Sequence, residues 1–317
     1  MKNWLHKIPV PVCGVALGLA ALGNLLQDVS EALRLGCGLL SGLLLALFLL
    51  KAALFPAEIA AERKNPASAS VAATFPMAVM LLSVYLKPVL GAGAAVLWGA
   101  AVLLHLALIV WFTLAFVVHL QMPRVFASYY IVYVGIATAG VTAPAYGMQA
   151  LGAACFWFGF FSFLALLALV SVRYSRYPQM PEPARPLICI YAAPASLCTA
   201  AYVQSVTPKS LPFLLALYAV ASILYLFSLV RLARLWKLPF YPSYASYTFP
   251  FVISAIASKQ TMACAAKMGL ALPWLGPVVW VETGIAALLV AYVVIRFAAW
   301  LCASAPAPNP AAPRQES

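Results

Sequence analysis

The sequence predicts an all-α polytopic membrane protein, and three observations carry that prediction. Hydrophobic residues fill 65% of its 317 positions and charged residues only 8%, whereas an ordinary soluble domain is about 25% charged. The mean hydropathy is +0.99. Ten apolar runs of roughly 20 residues, the length that crosses about 30 Å of hydrocarbon, occupy most of the chain. So few charges cannot coat a water-facing globule, which excludes a soluble enzyme or a nucleic-acid-binding domain. The net charge of +12 is spread through short loops, with no basic cluster or stripe.

The runs lie at about 8–26, 34–54, 68–86, 91–117, 126–147, 150–172, 185–204, 210–234, 244–265 and 274–301. The first follows Lys2 and Lys7 in the manner of a signal peptide. It continues to Asn24 without a small-residue cleavage site, so it reads as a mature helix. Charge or turn residues separate each later run from the next, and no long soluble insert intervenes. Residues 1–303 therefore read as one ten-helix domain. The Pro/Ala-rich stretch 304–317 cannot build a core and reads as a disordered tail.

Lysine and arginine set the orientation. With the N-terminus inside, fourteen basic residues fall on the inner side. Five, Arg34, Lys87, Lys209, Lys259 and Lys267, fall on the outer side. A miscounted helix would invert the later loops and blur this split. The sequence thus predicts ten spans in a cell membrane, with both termini cytoplasmic.

Proline separates two kinds of span. Pro76, Pro194 and Pro250 lie inside the third, seventh and ninth runs, while the even runs carry proline only at their ends. A proline within a helix removes a hydrogen bond and bends it, and the freed carbonyl must face protein or water rather than lipid. The odd helices are therefore expected to form an inner ring around a cavity, and the Leu-rich even helices an outer ring. Small and hydroxylated residues follow the same division. Gly14, Gly18, Thr138, Ser196, Thr199 and Thr248 are candidates for the wall of a narrow path; the same residue types also permit close helix packing. Thr74-Phe75-Pro76 is echoed by Thr248-Phe249-Pro250 in the ninth run.

Of seven acids only Glu282 lies within a run, and that run is an even one. Carriers of cations or protons keep a titratable group on the pathway, and the expected inner ring has one ionisable candidate, Lys259, ten residues beyond Phe249. A lysine there would raise the potential for anions, or would simply snorkel to the outer interface. The seven scattered cysteines read as packing residues. His6, His105 and His119 are too far apart for a metal site, so neither metal nor cofactor is expected. No His, Asp or Glu cluster at helix ends suggests an enzyme, and no catalytic residue is assigned.

Three stretches resemble the tellurite-resistance/dicarboxylate transporter family, which includes the bacterial TehA proteins, yeast malate permease and the plant slow anion channels. They are Gly14-Val-Ala-Leu-Gly-Leu-Ala-Ala-Leu22, Ala193-Pro-Ala-Ser-Leu-Cys-Thr-Ala-Ala-Tyr202 and Tyr247-Thr-Phe-Pro250. The resemblance implies five helical hairpins around a pore lined by the odd helices, assembled as a homotrimer with one pore per subunit. It implies that a phenylalanine of the ninth helix, here Phe249, plugs that pore. In the fifth helix, where plant members place a second aromatic, this chain reads Val134-Gly-Ile-Ala-Thr-Ala-Gly140, so a single plug is expected. The leading expectation is a gated anion channel or passive anion transporter. The alternative is a secondary, possibly proton-coupled, carrier of C4-dicarboxylates, tellurite or sulfite.

Overall fold

The computed structural model describes residues 5–303. Within them every regular element is helical. The tail assigned to 304–317 lies outside the described residues. Seven helices are long and apolar enough to cross a membrane: Glu31–Leu54, Pro66–Leu90, Ala92–Val117, Gln149–Arg176, Glu182–Ser205, Leu211–Leu235 and Leu275–Cys302. A shorter apolar helix, Val12–Leu25, opens the chain. The rest of the apolar sequence forms Phe249–Lys267 and a broken run built from Tyr129–Tyr133 and Ala137–Thr142. The longer elements fall within a few residues of the apolar runs, seven of them as candidate spans, while the short helix Pro56–Glu62 lies between two runs.

Two environments divide these elements. Only 22% of the most apolar stretch of Ala92–Val117 is buried, against 94% of that in Glu182–Ser205. Val12–Leu25 is buried at every position but Asn24. The buried set consists of Val12–Leu25, Thr74–Leu90, Ala137–Thr142, Ala193–Ser205 and Phe249–Lys267. Each packs on the next in that order, and Phe249–Lys267 returns to Val12–Leu25, so the ring closes. The five long helices between them lie outside. Glu31–Leu54 rests on the first and second ring members, Gln149–Arg176 on the third and fourth, Leu211–Leu235 on the fourth and fifth, and Leu275–Cys302 on the fifth and first. Ala92–Phe112 covers the second member and reaches Tyr129–Tyr133. Their exposed leucines, such as Leu39, Leu103 and Leu288, suit a hydrocarbon surrounding.

The inner members are interrupted, and this corrects the picture of prolines bending continuous helices. Pro194 and Pro250 stand in the first turn of Ala193–Ser205 and Phe249–Lys267, each preceded by a tighter 3₁₀ segment, Glu182–Ala192 and Pro242–Tyr247. Pro76 is the third residue of Thr74–Leu90, which follows the short helix Pro66–Val71. A proline in a first turn costs nothing, because its missing N–H has no intrahelical acceptor there. The third ring member breaks without proline, at Gly135. A Cβ on that residue would meet the Ile131 carbonyl at 2.0 Å and Met77 Sδ at 2.7 Å.

Polar side chains fasten the layers at buried positions, where an unmade hydrogen bond is expensive. Ser41 Oγ donates to the Ala16 carbonyl at 2.7 Å, Tyr85 OH to Ala20 at 2.7 Å, and Trp98 Nε1 to Thr142 Oγ1 at 2.7 Å. Ser30, Asn65 and Ser210 cap the helices that follow them. His105 lies buried, with Nε2 2.9 Å from the Val132 carbonyl, and so acts as a structural donor.

The first and last ring members meet at Gly18, where a Cβ would stand 2.5 Å from Thr248 Cβ. Gly18→Val is expected to cost about 1–3 kcal/mol through overpacking, read as a lower midpoint of thermal unfolding in detergent. Gly36→Ala, whose Cβ would meet nothing within 4 Å, should leave that midpoint unchanged.

Candidate functional site

The closed ring encloses two cavities on its axis. The larger, about 490 Å³, opens at the end carrying the 55–66, 177–185 and 236–243 connections; its wall includes Gly14, Thr74, Gly135, Pro194 and Pro250. The smaller, about 240 Å³, lies toward the opposite end and is bounded by Asn24, Thr138, Val141, Ile253, Lys259 and Gln260. Two side chains belong to both walls, Leu197 and Phe249. Phe249 is 6% exposed and Leu197 3%. The aromatic ring thus borders both spaces; the large cavity is further lined by Phe126, Tyr130 and Tyr241 and by Glu62, the small one by aliphatic groups with Thr138 and Lys259.

The backbone beneath Phe249 is fixed by its neighbour. Thr248 donates its one hydroxyl proton to the Ala245 carbonyl at 2.7 Å, with the Gly14 carbonyl of the first ring member as a second, shared acceptor at 3.1 Å. That double tie, together with the bare Cα of Gly18, locks the break against the adjacent helix. Residue 249 begins the new helix there, so its side chain leaves at the ring's centre. The sequence echo shares half of this device. Thr74 Oγ1 donates to the Val71 carbonyl at 2.7 Å, the same three-residue backward bond. Phe75, however, packs toward Phe48 of the outer helix, with ring centroids 5.9 Å apart, and lines neither cavity.

The six small candidates divide accordingly. Gly14 lies on the wall of the large cavity and Thr138 on that of the small one. Gly18, Ser196, Thr199 and Thr248 border neither cavity. Ser196 Oγ bonds the Ala192 carbonyl at 2.8 Å and Ser254 Oγ at 3.0 Å, which joins the fourth and fifth ring members. Thr199 Oγ1 is satisfied by the Ala195 carbonyl at 2.8 Å, within its own helix. The contacts of these four are those of close packing and hydrogen bonding between and within ring members. Of the three prolines, Pro194 and Pro250 line the large cavity while Pro76 does not.

Lys259 stands on the wall of the small cavity, and its ammonium is engaged: Nζ lies 2.7 Å from Asp28 Oδ2 and 3.4 Å from the Leu25 carbonyl. The hydrogen bond and charge of Lys259 hold the exposed Asp28 carboxyl below the usual carboxylate range. The pair therefore persists on acidification until the pH falls below that range.

Two charged features escaped the sequence. Glu282, on an outer helix, turns inward and accepts a bond from Ser258 Oγ at 2.5 Å, with Tyr218 OH 3.1 Å from the same serine. Lys51, at the end of another outer helix, is 2% exposed and lies against Glu62, which lines the large cavity. Its Nζ donates to the Ile8 carbonyl at 2.7 Å and lies 3.4 Å from Glu62 Oε1 and 3.5 Å from Glu58 Oε2. Glu58 also pairs with His6, and these contacts hold its carboxyl below the ordinary range. A one-dimensional pattern does not reveal which face of a helix an isolated charge occupies. The i, i+4 spacing of Glu58 and Glu62 was the one available hint that both could meet a common cation.

Interrupted, buried helices inside a sheath of apolar ones, with two axial cavities, define a multi-pass α-helical membrane protein built around a path. The model of the SLAC1 family, voltage-dependent anion channel, matches residues 7–301. The chain belongs to this family, one of anion channels and transporters. No curated protein matches it.

If Phe249 and Leu197 separate the two spaces, thiols placed on either side should be reachable from opposite faces. In a Cys302→Ser background, Ser68→Cys should react with an impermeant methanethiosulfonate from the large-cavity side and Gln260→Cys only from the other. Labelling of either from both sides would show an open path.

Proposed function

We propose that the protein is a gated anion channel in which ten membrane crossings, arranged as five hairpins, surround a conduit blocked by Phe249. The observation that carries this reading is the membership of Phe249 in both cavity walls. A closed ring of five buried segments, each covered by a long apolar helix, supports the hairpin arrangement. We assign both termini to the cytoplasmic side on the fourteen-to-five lysine and arginine split, and a homotrimeric assembly on the family resemblance.

An anion leaving water loses hydration that the wall must replace. The walls offer hydroxyls, such as Thr138 on the small cavity, and the N-terminal ends of Ala193–Ser205 and Phe249–Lys267 on the large one, whose partial positive charge favours anions. They offer no carboxylate at the level of the plug. A wall of this kind binds weakly, which suits conduction. An apolar ring leaves no continuous water path, so the closed state is dry at one level and wet at both ends. Opening requires Phe249 to change rotamer, and the Thr248 tie keeps the helix start in place while the side chain moves.

Substitution of the ring is the direct test. Phe249→Ala should raise anion current in planar bilayers at least about tenfold, since removing the benzyl group deletes the barrier rather than a binding contact. An anion-replacement series should then give reversal potentials ordered by ease of dehydration. Unchanged current in folded protein would remove the gate assignment. Flux in liposomes that follows an imposed pH gradient would favour the secondary carrier of C4-dicarboxylates, tellurite or sulfite instead.

A further inference from the structure

The two cavities carry opposite formal charges. Among the described residues on the wall of the large cavity, the one carboxylate is Glu62, and no lysine or arginine accompanies it. The small cavity has one charged residue, Lys259. Neither is loose. Glu62 is pinned through both oxygens, Oε1 3.4 Å from Lys51 Nζ and Oε2 3.4 Å from the Val10 amide nitrogen. Lys259 is held by Asp28 at 2.7 Å and by the Leu25 carbonyl. Lys51 is buried and lines neither cavity, and Asp28, 75% exposed along its side chain, also lies off both walls. An ion inside either cavity is therefore nearer to the wall charge than to its partner, so the partner reduces the field without cancelling it.

We infer that the open conduit is a rectifier: Glu62 depletes anions at one end, Lys259 enriches them at the other, and anions pass more readily from the Lys259 side to the Glu62 side. This rests on the anion-channel reading with Phe249 as the barrier. A charge in a confined, low-dielectric space shifts local ion concentration by an exponential of its potential. When anions are driven from the enriched end toward the depleted one, the conduit fills; under the opposite bias it empties. Lys51 is a positioning residue in this scheme. It sets where the Glu62 carboxylate stands and does not itself meet the ion.

The test uses single insertions of the Phe249→Ala protein in planar bilayers, with symmetric potassium chloride at 20 mM and at 1 M. At 20 mM the currents at equal positive and negative voltage should differ about twofold or more. At 1 M, where the screening length is about 3 Å, they should converge. Glu62→Gln and Lys259→Gln should each lower the low-salt ratio, the double variant should bring it close to one, and Glu62→Asp should retain it. Equal currents at 20 mM in Phe249→Ala, or a ratio indifferent to Glu62 and Lys259, would overturn the inference while leaving the channel reading intact. Absence of current from Phe249→Ala would instead fail the gate on which the inference rests.

Discussion

Hydrocarbon offers a backbone amide no hydrogen-bond partner, and this constraint organises the molecule. A helix may break within the membrane only if protein or enclosed water covers the break. Each interrupted element here, from the 3₁₀ run ahead of Pro194 to the glycine break at Gly135, lies in the inner ring. The five long helices exist to cover them, which is why those helices turn most of their apolar surface outward. The breaks in turn give the ring its purpose. They stop one helix and start another within the ring, where Ala193, Pro194, Phe249 and Pro250 border the large cavity. Phe249 is the residue that one of these restarts delivers to the axis.

Close packing and polarity are arranged at different levels. Around the plug the ring is held by glycine contacts and by hydroxyls that bond carbonyls of their own or the next helix, as Thr248, Ser196 and Thr199 do. No formal charge lies there among the described cavity-lining residues. Charges appear toward the ends, each paired: Glu62 with Lys51, Lys259 with Asp28. Pairing limits the cost of placing a charge beside a low-dielectric wall, and it leaves each cavity with one sign of charge facing inward. In the proposed channel the barrier is therefore steric and apolar at the centre, while electrostatics act on entry.

Much of this was legible before any coordinates. Apolar run length located the elements to within a few residues, since the hydrophobic thickness of a membrane imposes that length directly. Proline marked three of the interrupted segments, because a missing amide donor is a property of the residue itself. What proline could not convey was the form of the interruption: Pro194 and Pro250 start helices rather than bend them. Gly135 gave no distinct signal, because a glycine that opens a break looks like one that permits a contact. Hydroxyl residues were ambiguous for the same reason. Whether Thr199 faces an ion or its own Ala195 carbonyl depends on rotation about a helix axis that small-residue patterns leave undetermined. The inward turns of Lys51 and Glu282 were hidden because each is separated from the next charge of its helix by a long apolar stretch, which gives no charge pattern from which a face could be read.

The proposed channel stands on the ring of Phe249 as the main barrier where it and Leu197 separate the two cavities, and side-chain size at position 249 measures it most directly. A series of Ala, Leu, Phe and Trp at residue 249, compared as unitary anion conductance in folded protein at 1 M salt, should fall monotonically with side-chain volume and reach its minimum with the aromatic residues. Conductance that is independent of volume across the series would contradict it.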